Sequence, residues 1–208
     1  MAYPTVSAPY GLDPVNRVDG MPYAGAIQQL PIASTYNTAI YNGDIVLITG
    51  GNVQKSNVTT DSTTTIADNA TYGVFMGCQY VNTQGQTVEA QYYPGNAAAT
   101  SALAYVVNDP MAAFKVAITY SGNSTITTAN ASVVGTNMSI RQGTGSATTG
   151  NSGLSVIAPV IGTGNAAAWP VKCVAVVPAT ATGNNAYTEV IVKFTNPQIL
   201  LAAATNYA

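Results

Sequence analysis

Residues 112–118 read Ala-Ala-Phe-Lys-Val-Ala-Ile, and their alternation decides the fold class. Every second residue, from Ala112 to Ile118, falls on one face of an extended chain and is apolar. Lys115 falls on the opposite face. A repeat of two residues is typical of a β-strand with one buried face. The stretch therefore predicts a strand that packs Phe114 into a core and directs Lys115 to solvent.

Similar patterns continue on both sides of this stretch. Residues 87–93 alternate with Glu89 on the polar face, and residues 186–194 direct Val190, Val192 and Phe194 inward and Glu189 and Lys193 outward. Three further runs are predominantly apolar, as in buried strands: residues 44–48, 72–81 and 171–177. Turn residues separate these runs, and helix formers other than Ala are scarce. We therefore predict a single all-β antiparallel sandwich or barrel, jelly-roll-like or related, over residues 32–208.

Residues 1–31 have a different character, since prolines recur every few residues between apolar and aromatic side chains. Proline fixes φ and removes a hydrogen-bond donor, which excludes a helix or a central strand. We interpret the segment as an extended arm that packs onto a neighbouring subunit, and the alternative is an arm that wraps its own domain. An arm of this kind predicts that deletion of residues 1–25 leaves a folded β-domain. The candidate partner contacts in it are Tyr3, Tyr10, Leu12, Arg17, Met21 and Tyr23.

The composition argues against catalysis. The 208 residues contain no His, and only six Lys and Arg and eight Asp and Glu. The commonest general base is therefore absent, as is imidazole for a metal site. A pairing of Glu89 with Glu189 is the remaining enzymatic alternative, of the glycosidase type. We expect no enzyme activity, no cofactor and no metal, and the low positive charge argues against nucleic-acid binding.

Several other features favour a structural protein made in the cytoplasm. No run is long and apolar enough for a membrane span, and no signal peptide is visible at the N-terminus. Cys78 and Cys173 lie in strand-like runs and are expected to be buried free thiols. Residues 143–153 are rich in Gly, Thr and Ser, but no Lys or helix pattern follows, so we expect a surface hairpin or loop rather than a phosphate-binding loop. Short helical turns are possible over residues 127–134 and 197–204.

A set of short motifs, in order along the chain, resembles the head decoration (capsid cement) proteins of tailed bacteriophages. The motifs are Gly11-Leu12-Asp13-Pro14-Val15, Pro22-Tyr23-Ala24-Gly25-Ala26, Gly43-Asp44-Ile45-Val46, Gly73-Val74-Phe75-Met76-Gly77, Asp109-Pro110 with Phe114-Lys115-Val116, Pro170-Val171-Lys172, and Glu189-Val190-Ile191-Val192-Lys193-Phe194. The chain departs from typical members in its Thr- and Asn-rich residues 56–71 and after Gln198.

The resemblance implies a virion protein that binds the outer surface of an icosahedral capsid. Its partners would be the major capsid protein and itself, as a homotrimer, and its role would be to bridge capsid subunits without contacting DNA or membrane. The main alternative is a phage tail-fibre, knob or host-adhesion protein. A pilin or secreted adhesin and a small shell protein of the major lattice are further alternatives.

Overall fold

Twelve strands are present in the computed structural model, which describes residues 6–56, 71–95, 101–119, 131–157, 169–181 and 187–195. The predicted all-β class is therefore confirmed. The strands are β1 (Asp13–Arg17), β2 (Gln28–Ile32), β3 (Ile45–Thr49), β4 (Asn52–Lys55), β5 (Gly73–Val81), β6 (Thr87–Ala90), β7 (Ala102–Val107), β8 (Ala112–Thr119), β9 (Asn137–Arg141), β10 (Ser155–Ile157), β11 (Val171–Val176) and β12 (Glu189–Phe194).

Six of these strands form a sheet that closes on itself. Its order is β1-β8-β10-β9-β11-β12, and β12 returns to pair with β8, where Val190 lies opposite Val116. The five strands β8 to β12 therefore make a barrel, and β1 lies along β8 outside the ring. All pairs are antiparallel except β8 with β10, which is parallel, so the antiparallel prediction needs correcting for this pair. Closure leaves the ring without open edges.

The barrel interior is filled by the apolar faces that alternation predicted. Ala112, Phe114, Val116 and Ile118 all belong to its core, and the Phe114 and Phe194 rings lie 5.4 Å apart between centroids. The prediction that residues 186–194 direct Val190, Val192 and Phe194 inward is also confirmed. Burial of such side chains contributes about 1.5–3 kcal/mol each.

The other six strands form a second sheet with a core of its own. The order is β2-β7-β5-β3-β4, and β6 pairs with β5 beside this path. The sheet curls, because β2 and β4 at its two ends lie in contact. Its concave side buries Phe75, Cys78 and Tyr93. Cys173 lies in the barrel core instead, so the two thiols are buried in separate cores and are free.

The two sheets are joined where the N-terminal segment crosses the entry to β3. Gly11 and Gly43 both have positive φ, at 94° and 85°, and their backbones approach so closely that a Cβ on Gly11 would lie 2.8 Å from the Gly43 Cα. The Leu12 amide donates to the Gly43 carbonyl at 3.0 Å. Only glycine combines this approach with this conformation. Leu12 is thereby placed in the barrel core, 1% exposed.

The Gly-rich residues 143–153 connect β9 and β10, which pair as an antiparallel hairpin, as the sequence predicted. The connection also touches the second sheet, because Asn42 bridges Asn151. The described residues contain two 3-10 turns, Ala131–Val133 and Pro178–Thr180. The first lies within the predicted helical segment 127–134, whose residues 127–130 are outside the described residues, as is the other predicted segment, residues 197–204.

Residues 6–31 do not form a segment separate from the domain. β1 and β2 are edge strands of the two sheets, and Leu12 fills the barrel core. The packing seen here is the second interpretation, an arm that wraps its own domain. Edge positions suit this segment because Pro14 and Pro31 need not donate on the open side.

Candidate partner-docking surface

Two of the most exposed apolar side chains among the described residues lie near the point where the N-terminal segment turns back from β1. The turn at Val18–Gly20 reverses the chain, Gly20 has a φ of 83°, and Pro22 then bridges Asn16. The Arg17 amide donates to the Met21 carbonyl at 3.2 Å, which closes this small hairpin. Met21 projects from its end and is 60% exposed.

A second methionine reaches the same place from the turn between β7 and β8. The Val18 amide donates to the Met111 carbonyl at 2.9 Å. Met111 is 45% exposed, and Asp109 orders its turn by accepting a hydrogen bond from the Met111 amide at 2.8 Å. The adjacent amides of Arg17 and Val18 thus bind the main chain of Met21 and of Met111, which places two exposed, flexible and polarisable side chains at the same end of β1. Exposed methionines are typical of adaptable binding surfaces.

Charged groups surround the two methionines. Arg17 Nη2 lies 2.9 Å from Asp19 Oδ2, and Arg17 Nε lies 3.5 Å from Asp109 Oδ2. Burial, and next the Asp109 carboxylate, raise the pKa of Tyr23 above its ordinary value. One guanidinium between two carboxylates leaves a net charge of −1 beside the apolar side chains. Partly exposed ion pairs of this kind contribute little to the free energy of unfolding. We expect them instead to orient a bound partner and to discriminate between partners.

We define the docking surface as Arg17, Met21, Tyr23, Asp109 and Met111. Arg, Met and Tyr are enriched in protein interfaces relative to the rest of the surface. The chain leaving this surface, residues 24–29, is exposed as far as β2. The surface is therefore able to contact a partner through side chains and through an extended main chain.

The structure brings together three of the six predicted contact residues, Arg17, Met21 and Tyr23. Leu12 is a core residue, because its neighbours in the chain are fixed at the crossing of Gly11 and Gly43. Tyr3 lies outside the described residues. Asp109 and Met111 were not among the predicted contacts, although Asp109-Pro110 belongs to one of the resemblance motifs and is also a turn signal.

Tyr10 occupies a different place, a cleft of about 540 Å³ on the barrel. Its hydroxyl donates to Glu189 Oε1 at 2.5 Å, and Lys115 Nζ lies 3.5 Å from the same oxygen and 5.6 Å from the centre of the Tyr10 ring. Burial, followed by this hydrogen bond, raises the pKa of Tyr10 far above its ordinary value. Residues 6–8 line the same cleft as Tyr10, Lys115 and Glu189.

The contacts of Glu189 refine the expectation about it. Glu189 lies on the outward face of β12, opposite the core residues Val190 and Val192, but it is only 6% exposed, because Tyr10 covers it, and Tyr10 and Lys115 compensate its burial. Glu89 lies on β6 of the second sheet and Glu189 on β12 of the barrel, and the two carboxylates have different hydrogen-bond partners. Glu89 instead accepts hydrogen bonds from Tyr105 and Gln79.

Within the described residues no group of three or more Cys, Asp or Glu side chains is placed to hold a metal ion. None of the helices in the described part of the chain has the length and apolarity to cross a membrane. No protein-family model, curated protein or solved structure matches the chain.

Proposed function

We propose that the chain is a decoration, or cement, protein that binds the outer surface of an icosahedral phage capsid and bridges its major capsid subunits. The observation that carries the proposal is the docking surface, in which Met21 and Met111 are exposed to solvent at the end of β1 that carries Arg17. The ordered resemblance motifs supply the identity of the partner. Two of these motifs overlap the docking surface. Residues 22–26 include Tyr23 and continue into the exposed chain that follows it, and Asp109-Pro110 includes Asp109.

The architecture supports this role physically. A cement protein needs a rigid domain and an exposed contact, and it needs no cofactor or catalytic group. Two packed cores provide the rigidity, and residues 20–27 provide a contact that can lie along a partner. We expect the protein to act as a homotrimer, because three linked contacts gain avidity without each being tight.

Binding to shells tests the proposal directly. Empty expanded capsids of the encoding phage, stripped of this protein, are mixed with purified chain and sedimented. Met21→Asp places a charge in the centre of the docking surface and is expected to weaken binding by about tenfold or more, as at an interface hot spot. Val174→Asp is the matched control, because Val174 is 40% exposed on β11 of the barrel.

Two results would contradict the proposal. The first is equal co-sedimentation of the Met21→Asp variant and the unaltered chain. The second is a virion density map that places the chain on a tail fibre, which would favour the host-adhesion alternative. Truncation of residues 1–25 is a poorer test, because it removes Leu12 and β1 along with the contacts.

A further inference from the structure

The convex face of the second sheet carries one flat aromatic ring among amide and carboxylate side chains. Tyr105 on β7 lies opposite Gln29 on β2 and opposite Gly77 on β5. Gln79 on β5 lies opposite Glu89 on β6. Because neighbours along a strand point to opposite faces, this row lies on the side away from the core residues Ala104 and Cys78.

The Tyr105 ring lies across the central strand β5. A Cβ on Gly77 would be 3.8 Å from Tyr105 Cδ2, so the ring covers the place where a side chain would otherwise stand. The hydroxyl reaches β6 beyond it and donates to Glu89, at 3.0 Å to Oε1 and 2.9 Å to Oε2. The ring is thus fixed at both ends, with one side on the backbone of β5 and the other toward solvent.

Hydrogen-bonding groups surround the ring. Gln79 Nε2 donates to Glu89 Oε1 at 2.8 Å, and Gln91 Nε2 donates to Asn151 Oδ1 at 2.6 Å. A side-chain amide has two N–H donors and a carbonyl acceptor, so each keeps capacity for a ligand hydroxyl beyond these bonds. We call Gln29, Gln79, Glu89, Gln91 and Tyr105 the Tyr105 face.

The charge of this face limits what it can bind. The six Lys and Arg residues of the chain are Arg17, Lys55, Lys115, Arg141, Lys172 and Lys193, and none belongs to β2, β5, β6 or β7. Glu89 is the single formal charge of the Tyr105 face, and it is negative. A phosphorylated, sulfated or carboxylated ligand would find no cationic side chain there to compensate its charge, whereas a neutral ligand needs none.

We propose that the Tyr105 face binds a neutral glycan. The solvent side of the ring accommodates the apolar C–H face of a pyranose by stacking, and the surrounding amide and carboxylate groups exchange hydrogen bonds with its hydroxyls. The open sheet suits an extended polysaccharide chain rather than a small enclosed sugar. This site is distinct from the docking surface, and the inference does not rest on the proposed function.

Affinity electrophoresis of the purified full chain tests the inference. Native gels contain hydroxyethyl cellulose, galactomannan or dextran as neutral probes, and polygalacturonate as an acidic one. The chain is expected to be retarded by at least one neutral polysaccharide and not by polygalacturonate. Tyr105→Ala is expected to lower the affinity by about tenfold, and Tyr105→Phe, which keeps the ring, by less.

The controls separate this site from shell binding. Met21→Asp is expected to leave retardation unchanged, and Tyr105→Ala to leave shell binding unchanged. The inference is overturned if no neutral probe retards the chain, if only polygalacturonate does, or if Tyr105→Ala impairs shell binding without any glycan retardation. Should Tyr105→Ala fail to fold, Gln79→Ala takes its place, and undiminished retardation of that folded variant would equally overturn the site.

Discussion

Asp44 is fully buried, and its two oxygens face different parts of the molecule. Oδ2 lies 2.8 Å from Lys55 Nζ on β4 and accepts from the Tyr41 amide at 2.9 Å. Oδ1 accepts a hydrogen bond from the Ser152 hydroxyl at 2.5 Å. One carboxylate thus ties the second sheet to the β9–β10 connection. A buried charge is tolerated only when it is compensated in this way.

Lys55→Met is therefore expected to destabilise the protein by about 3–5 kcal/mol, because it leaves the Asp44 charge buried without its counter-ion. Urea unfolding measures the change. Lys172→Met, on an exposed position of β11, serves as the control and is expected to shift the free energy of unfolding by less than about 0.5 kcal/mol.

The double variant Lys55→Met with Asp44→Asn removes both charges together. It should recover part of the loss, since no ionised group then remains uncompensated. A double variant less stable than the single one by the full cost of Asp44→Asn alone would show that the two side chains act independently.

At the scale of elements, β1 is the strand for which the interpretation of the sequence differs most from the observed packing. The prolines and aromatic residues in and around β1 favour an extended arm. In the structure β1 is an edge strand of the barrel sheet, and Leu12, which directly precedes it, lies in the barrel core. Leu12→Ala is expected to cost about 2–5 kcal/mol in the free energy of unfolding, as other buried leucines do.

Met21→Ala is the control for this prediction, because Met21 follows β1 in solvent and should change stability by no more than about 0.5 kcal/mol. Thermal and urea unfolding of the two variants compare them directly. Equal stability of Leu12→Ala and the unaltered chain would show that β1 is held only by its edge pairing.

The elements also show which features the sequence could predict. The alternation in β8 and β12 is local, so it predicted their buried faces from a few residues. Glu189 also follows the alternation, but its burial was not predicted, because it depends on Tyr10 and Lys115, which lie far away along the chain. Met21 and Met111 are brought to the same end of β1 for a similar reason, since β1 pairs with β8. No local pattern contains those pairings.

At the scale of the whole molecule, the two buried thiols, Cys78 and Cys173, make the free energy of unfolding depend on alkaline pH. Burial, then the Glu89 charge, raises the pKa of the Cys78 thiol to about 12, and burial raises that of Cys173 to about 11, from an ordinary value of 9.0. The folded state therefore holds these protons more tightly than the unfolded state. Their contribution is complete below about pH 9 and is lost as pH rises through 11 and 12.

We expect the urea midpoint to be insensitive to these thiols up to about pH 9 and to fall between pH 9 and 12. The variant with Cys78→Ala and Cys173→Ala should show a shallower fall over the same range, although it starts from a lower midpoint. Tyr10 acts in the same direction in both proteins. An equally steep fall in the double variant would mean that other groups set the alkaline limit.

The return of β12 to β8 has a consequence for how the chain is made. Ring closure needs residues 189–194, whereas β8 ends at residue 119 and β9 and β10 are complete by residue 157. During synthesis, the edge of β8 that pairs with β12 therefore has no strand to bond to while some seventy further residues are added. The second sheet, whose strands all precede residue 108, can assemble during that interval. Synthesis itself thus imposes an order on the two cores, because the barrel closes only after β12, the last strand of the described residues, has been made.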